Sequence, residues 1–120
     1  MSADPTAVVL VEGGSDMVAL ETLARRRGRD LADEGVTIVE MGGATSIGRY
    51  LDHFGPRGLA LKLAGLCDES EEGFFRRGLA RAGFGAGLTR TEMEALGFFT
   101  CATDLEDELI RALGTVAVED

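Results

Sequence analysis

Four apolar runs constrain this chain most, because none of them alternates. Ala7-Val8-Val9-Leu10-Val11 is continuous, and residues 36–41, 59–67 and 97–102 come close to it. A strand that is apolar at nearly every position has both faces covered, as in a parallel sheet between two helical layers. The intervening segments have helical length and spacing. The expected fold is therefore α/β: an open, mainly parallel, four-stranded Rossmann-like sheet with helices on both faces. Residues 1–120 read as one domain, without internal repeat or linker.

Local signals place the helices. Val18, Leu20, Leu23 and Ala24 predict a helix over 15–27, with Ser15 as N-cap and Gly28 as the stop. A second runs from 44 to 54 and ends at Gly55-Pro56. A third covers 72–82, and the glycine-rich stretch from Gly83 to Leu88 is a loop. Thr89-x-x-Glu92 forms a capping box for a short helix through Ala95, and a last helix covers 104–113.

Apolar residues make up 45% of the chain, enough for one real core. No stretch reaches the roughly 18 uncharged apolar residues of a membrane span. The N-terminal Met-Ser-Ala-Asp-Pro lacks the basic and apolar regions of a signal peptide, so cytoplasmic residence is the expectation. Cys67 and Cys101 close two strands without a Cys-x-x-Cys pair, and His53 is the single histidine, which leaves too few ligands for structural zinc. The net charge of −9 argues against gripping nucleic acid by bulk charge. Arg25, Arg26, Arg27 and Arg29 form one basic cluster and Arg76, Arg77 and Arg81 another; both read first as solvated helix faces.

The strand ends carry the chemistry. Val11 is followed by Glu12-Gly13-Gly14-Ser15-Asp16, Cys67 by Asp68-Glu69-Ser70-Glu71, and the fourth run by Asp104, Glu106, Asp107 and Glu108. The carboxyl ends of parallel strands share one edge, where ligands bind. Three acidic strand ends therefore predict one acidic pocket, and closely packed carboxylates need a cation. Magnesium takes such oxygen ligands together with substrate phosphate. Glu12, directly after a buried strand and before two glycines, has no evident structural duty. Ser70 suits a helix cap, and Thr103-x-x-Glu106 reads equally as a capping box or as part of the ligand set. Gly13-Gly14 and Gly42-Gly43-Ala44-Thr45-Ser46 could cradle phosphate, or simply turn the chain.

These residues resemble a TOPRIM domain, the catalytic module of topoisomerases, primases and related nucleases, and most closely that of the OLD (overcoming lysogenisation defect) nucleases. The family's Glu-Gly-x-x-Asp is matched by Glu12-Gly13-Gly14-Ser15-Asp16, its Gly-Gly after the second strand by Gly42-Gly43, and its late Asp-Leu-Glu by Asp104-Leu105-Glu106. The resemblance spans roughly residues 7–113. It implies Glu12 and Asp68 as catalytic residues, and Glu12, Asp16, Asp68, Glu71, Asp104 and Glu106 as ligands of Mg²⁺ or Mn²⁺. The implied activity is a magnesium-dependent nuclease, nickase or nucleotidyl transferase acting on phosphodiester bonds of nucleic acid, with DNA as the expected substrate. One departure is Ser70, where the usual second motif, Asp-x-Asp, has its second aspartate. It motivates the alternative of a degenerate module that binds metal, nucleotide or a protein partner without catalysis.

OLD nucleases carry an ATPase domain before the TOPRIM part. No P-loop sequence exists here and Lys62 is the only lysine, so an ATPase partner and a homo-oligomer are the further expectations. A phospho-accepting receiver domain also puts acids after its first and third strands. Here the first strand supplies a glutamate instead of paired aspartates, and no lysine follows Lys62 to contact a phosphoryl group.

Overall fold

The computed structural model describes residues 6–43, 46–55, 58–59, 61–101 and 105–116, without the side chains of 101 and 105–107. Four strands, β1 (Ala7–Val11), β2 (Val36–Glu40), β3 (Lys62–Asp68) and β4 (Phe98–Cys101), form an all-parallel sheet in the order β2-β1-β3-β4. Five helices accompany them: α1 (Gly14–Arg26), α2 (Ile47–Phe54), α3 (Glu72–Arg81), α4 (Arg90–Ala95) and α5 (Leu105–Thr115). The expected α/β sheet with two helical layers is what forms.

The continuous apolar runs are explained by position. β1 is flanked on both sides and buried along its whole length. Ala7, Val9 and Val11 face a core built with α1 and α5; Val8 and Leu10 face a second core built with α2, α3 and α4. On the second face Gly65 makes room for aromatic packing: a Cβ there would lie 2.7 Å from the Phe98 ring. Phe98 meets Phe75 and Phe84 edge-on. Among the described residues no helix is long and apolar enough to cross a membrane.

Several boundaries move for identifiable reasons. Ser15 does not cap α1; the N-cap is Gly13, in an extended conformation and without a side-chain cap bond. Asp16, in the first turn, is the carboxylate whose charged form the Gly13 backbone N–H favours, in the manner of half a capping box. Of the apolar stripe on α1, Leu20, Leu23 and Ala24 are buried, whereas Val18 faces solvent. β3 starts at Lys62 and ends on Asp68 itself. Leu59 is left out because its N–H joins the His53 carbonyl in a turn closing α2, leaving its side chain exposed. Ser70 caps nothing: a short 3-10 turn, Glu69–Glu71, joins β3 to α3, with Asp68 in the N-cap position of the turn and Glu71 in that of α3. The box at Thr89 forms as expected, with Thr89 Oγ1 accepting from Glu92 N at 3.1 Å and Thr89 N donating to Glu92 Oε1 at 2.9 Å. Gly28 follows α1 with φ +71°, the left-handed stop a glycine permits. His53 lies in the last turn of α2, its ring edge-on to Phe54. The expected cap at Thr103 lies outside the described residues.

Gly97, at φ +98°, lets the chain enter β4 against its neighbour: a Cβ would lie 2.7 Å from the Leu63 carbonyl oxygen and 2.8 Å from Thr115 Cγ2. Gly87, at φ +62°, has nothing within 4 Å. Gly87→Ala should therefore cost only the left-handed strain, about 1 kcal/mol. Gly97→Ala adds a backbone clash and should cost about 3 kcal/mol. Urea unfolding compares the two; equal losses would mean that the close approach contributes nothing.

Candidate metal and catalytic site

The strand order reverses between β1 and β3, since the chain leaves β1 toward β2 and returns on β1's other side. The crevice beyond the strand ends at such a point is the usual binding position of an open α/β sheet. Glu12 follows β1 and Asp68 ends β3, so both emerge there.

Glu12 is fixed from two sides. Its backbone carbonyl accepts from Gly42 N at 3.0 Å and Gly43 N at 3.1 Å, which ties it to the loop after β2. Its carboxylate Oε1 accepts from Asp68 N at 2.9 Å, which ties it to the end of β3. The two glycines have φ of +74° and +131°, conformations that turn their N–H groups back onto Glu12. Of the two readings of Gly42-Gly43, these bonds are those of a chain turn, since both amides are taken up by the Glu12 carbonyl. Ala44 and Thr45 lie outside the described residues.

The carboxyls feel one another. Burial pushes the Glu12 carboxyl above the ordinary glutamate value; the Asp68 N–H opposes this, and the charges of Asp68, Glu71 and Asp16 push it further up. Asp16 is likewise raised, first by burial and then by Asp68, against the bond from Gly13. The charges of Asp16, Asp68 and Glu71 thus reach Glu12, and that of Asp68 reaches Asp16. Glu40 joins the same edge and is missed by reading the apolar runs alone. It ends β2 in register with Val11, and its Oε2 lies 3.5 Å from where a Gly14 Cβ would be. The available signal is an acid closing the second strand, as acids close the first and third.

Other acids have different duties. Glu69 pairs with Arg90 at 3.3 Å and is not among the charges that raise the Glu12 carboxyl. Glu72 is the anchor of a polar network: it accepts from Arg90 Nε at 2.6 Å and from the buried Thr100 hydroxyl at 3.2 Å, with Arg76 at 3.6 Å. Glu71, between them, is the residue of this turn whose charge reaches Glu12. Cys67 is buried on β3 with its Sγ 3.8 Å from Thr100 Oγ1, as expected of a core thiol. Glu106 is the second residue of α5 with its side chain undescribed, and Asp104 lies outside the described residues.

The donor set is chemically suited to a hard divalent cation, since it consists of carboxylate oxygens that repel one another in its absence. Its arrangement is open. Among the described residues no three His, Cys, Asp or Glu side chains stand close enough together to hold a metal.

Comparison with known proteins agrees with this architecture. Residues 6–69 match the family model described as overcoming lysogenization defect protein-like, TOPRIM domain. The fold is similar to the C-terminal region of the Xanthomonas campestris pv. campestris OLD protein, with TM-score 0.70 and 25% identity, covering 85% of this chain and 54% of that one. It is similar in fold alone to the C-terminal region of the Burkholderia pseudomallei OLD protein, with TM-score 0.65 and 19% identity, covering 87% of this chain and 57% of that one. The chain spans about half the length of these solved structures. No curated protein sequence matches significantly.

Two outcomes follow from the electrostatics. Removing one charge from the repelling group should help the metal-free fold, so Asp68→Asn should stabilise the protein in EDTA by about 0.5 kcal/mol, the scale of one like-charge pair. Thermal melting reads this, and a loss of stability would mean that Asp68 is not repelled there. Glu72 behaves oppositely. Its partners, Arg90 foremost, hold its carboxyl below the ordinary value. Stability from that lowering is in place above the unfolded glutamate pKa of about 4.3 and is lost as pH falls through the lower folded value. Glu72→Gln should cost about 1.5 kcal/mol at pH 7 and flatten the acid limb of stability against pH. An unchanged limb would assign the acid sensitivity to other carboxyls.

Proposed function

Because this chain belongs to the family of overcoming lysogenization defect protein-like TOPRIM domains, we propose that it acts on phosphodiester bonds of nucleic acid as a metal-dependent nuclease or nickase. The observation that carries this reading is the Glu12 carboxylate held against the Asp68 amide at the strand-order reversal, with Asp16 and Glu71 in electrostatic range. Fixed backbone geometry and a raised carboxyl are what proton transfer at a phosphodiester requires.

TOPRIM domains generally bind a divalent metal. Here Glu12, Asp16, Asp68 and Glu71 would hold it, with Asp104 and Glu106 as the remaining candidates. When bound, such an ion supplies charge neutralisation for the phosphate and its displaced oxygen. The chain's own contribution is distinct. Gly42 and Gly43 fix the Glu12 backbone, and the Asp68 amide aims its carboxylate. With its affinity for a proton raised by burial and neighbouring charge, Glu12 is suited to accept the proton of an attacking hydroxyl or water and to return it to the leaving oxygen.

A second reading has its own observation. Ser70 occupies the position of the second acid of Asp-x-Asp, is exposed in the 3-10 turn, and Glu69 beside it is committed to Arg90. A module without that ligand would bind metal, nucleotide or a partner and catalyse nothing.

Cleavage of supercoiled plasmid with Mg²⁺ or Mn²⁺ separates the two. The nuclease reading expects turnover by the wild type and at least a roughly hundredfold loss in Glu12→Gln and Asp68→Asn. Equal activity in all three would assign the cleavage to other residues or another protein. No turnover, with a melting temperature that rises with Mg²⁺ in the wild type but not in Asp68→Asn, selects the binding module.

A further inference from the structure

Six arginines of this acidic chain differ in whether a glutamate holds them. Among the described residues, Arg29, Arg76, Arg90 and Arg111 are each held in an ion pair with glutamate. No ion pair ties Arg49 or Arg77 among the described residues; each packs against an aromatic ring, Arg49 over Tyr50 at 5.4 Å and Arg77 over Phe74 at 5.0 Å. Such contacts hold a guanidinium in place while its edge N–H groups remain donors.

The fold brings Arg49, distant in sequence, to the cluster of Arg77 and Arg81. All three line a groove of about 570 Å³ between α2 and α3, along with Ser46, Asp52 and Phe74. The helices can approach closely because α3 presents Gly78 to α2: a Cβ there would lie 2.6 Å from Ile47 Cγ2. Three arginines against Asp52 give the groove a local charge of +2 (3 − 1) in a chain of −9. One end is the start of α2, whose first turn holds no acid and whose N-cap Ser46 makes no side-chain cap bond. The helix dipole therefore adds to the positive field.

We propose that this α2–α3 groove is the track for the phosphate backbone of nucleic acid leading to the acidic edge; the inference rests on, and extends, the nuclease reading. Guanidinium forks suit phosphate oxygens. Arg77 and Arg81, four residues apart, are separated by about 6 Å along α3, of the order of the spacing between neighbouring phosphates. Both helices begin at the sheet edge that carries the acids: α3 follows Asp68 through the 3-10 turn, and Ser46 lies three residues after Gly43, whose amide binds the Glu12 carbonyl. The Ser46 end of the groove thus lies at the edge that carries Glu12 and Asp68. A protein partner is the poorer fit, because such interfaces depend on buried apolar anchors, and Phe74, only 37% exposed, is the one large apolar side chain in the groove that is substantially exposed.

Binding of a fluorescein-labelled DNA oligonucleotide, single-stranded and duplex, followed by anisotropy in EDTA across a salt series, tests the groove apart from any chemistry. The variant Arg49→Gln/Arg77→Gln/Arg81→Gln should bind about tenfold or more weakly at moderate salt. Its slope of log K against log salt should fall by about 2, since each lost phosphate contact removes about 0.7–0.9. Arg25→Gln/Arg26→Gln/Arg27→Gln removes equal charge elsewhere and should change binding less than about threefold by the same salt reasoning, while the triple lysine variant at the groove should keep most of the affinity. Overturning results are an unchanged slope in the groove variant, equal weakening by the α1 control, no DNA binding by the wild type, or displacement of DNA by a polyglutamate peptide at equal charge. Binding through the groove without plasmid cleavage would sink the nuclease reading alone; cleavage by a wild type whose groove variant binds undiminished would sink the track alone.

Discussion

Like charges gathered at the mouth of the sheet are the constraint to which the rest of this fold answers. Asp68 raises the energy of the charged forms of Glu12 and Asp16, and Glu71 that of Glu12, at a place where burial raises both further. Such an arrangement survives because backbone groups impose it. The Glu12 carbonyl is held by the loop after β2 and its carboxylate by the end of β3, so three neighbouring segments agree on its position. That agreement in turn needs β1 in the interior of the sheet, which needs a strand apolar at every residue. The apolar run and the acid that follows it are two halves of one device.

Around this centre the surrounding charges are sorted by partner. Glu72 collects Arg90, Arg76 and the Thr100 hydroxyl, joining the starts of α3 and α4 to β4. Glu69 is drawn to the same arginine. Three consecutive positions on one turn thereby differ in role, with Ser70 exposed and Glu71 facing the Glu12 side. On the far side of the sheet Arg29 does comparable work: it is paired with Glu34 at 2.6 Å and donates to the Leu113 carbonyl at 2.8 Å, which secures the turn before β2 to the end of α5. These pairs stiffen the frame, whereas Arg49 and Arg77 pack on aromatic rings in the α2–α3 groove.

Much of this was legible from residue order. Continuous apolar runs required a sheet covered on both faces, and the box at Thr89-x-x-Glu92 formed as its residue types demand. The failures have equally specific causes. Ser15 looked like a cap, yet the helix begins one residue earlier, at Gly14, which makes Gly13 the N-cap. Leu59 looked like strand, but a local turn to the His53 carbonyl took its backbone first. Glu40 was passed over because nothing local says that β2 and β1 end together; only their register does.

The chain's own order of residues determined the class of fold, the strand ends that bear acids and the glycines that allow sharp turns, because each follows from local periodicity and backbone freedom. Tertiary structure alone decided which of those acids meet. The reversal of strand order put Glu12 beside Asp68 across 56 residues, gave Glu69 to Arg90 and Glu71 to the site, and carried Arg49 to Arg77 and Arg81. Acidic strand ends announce that carboxylates share an edge, but not which of them meet; like charge repels, so it takes the hydrogen bonds of the closed sheet to hold the meeting.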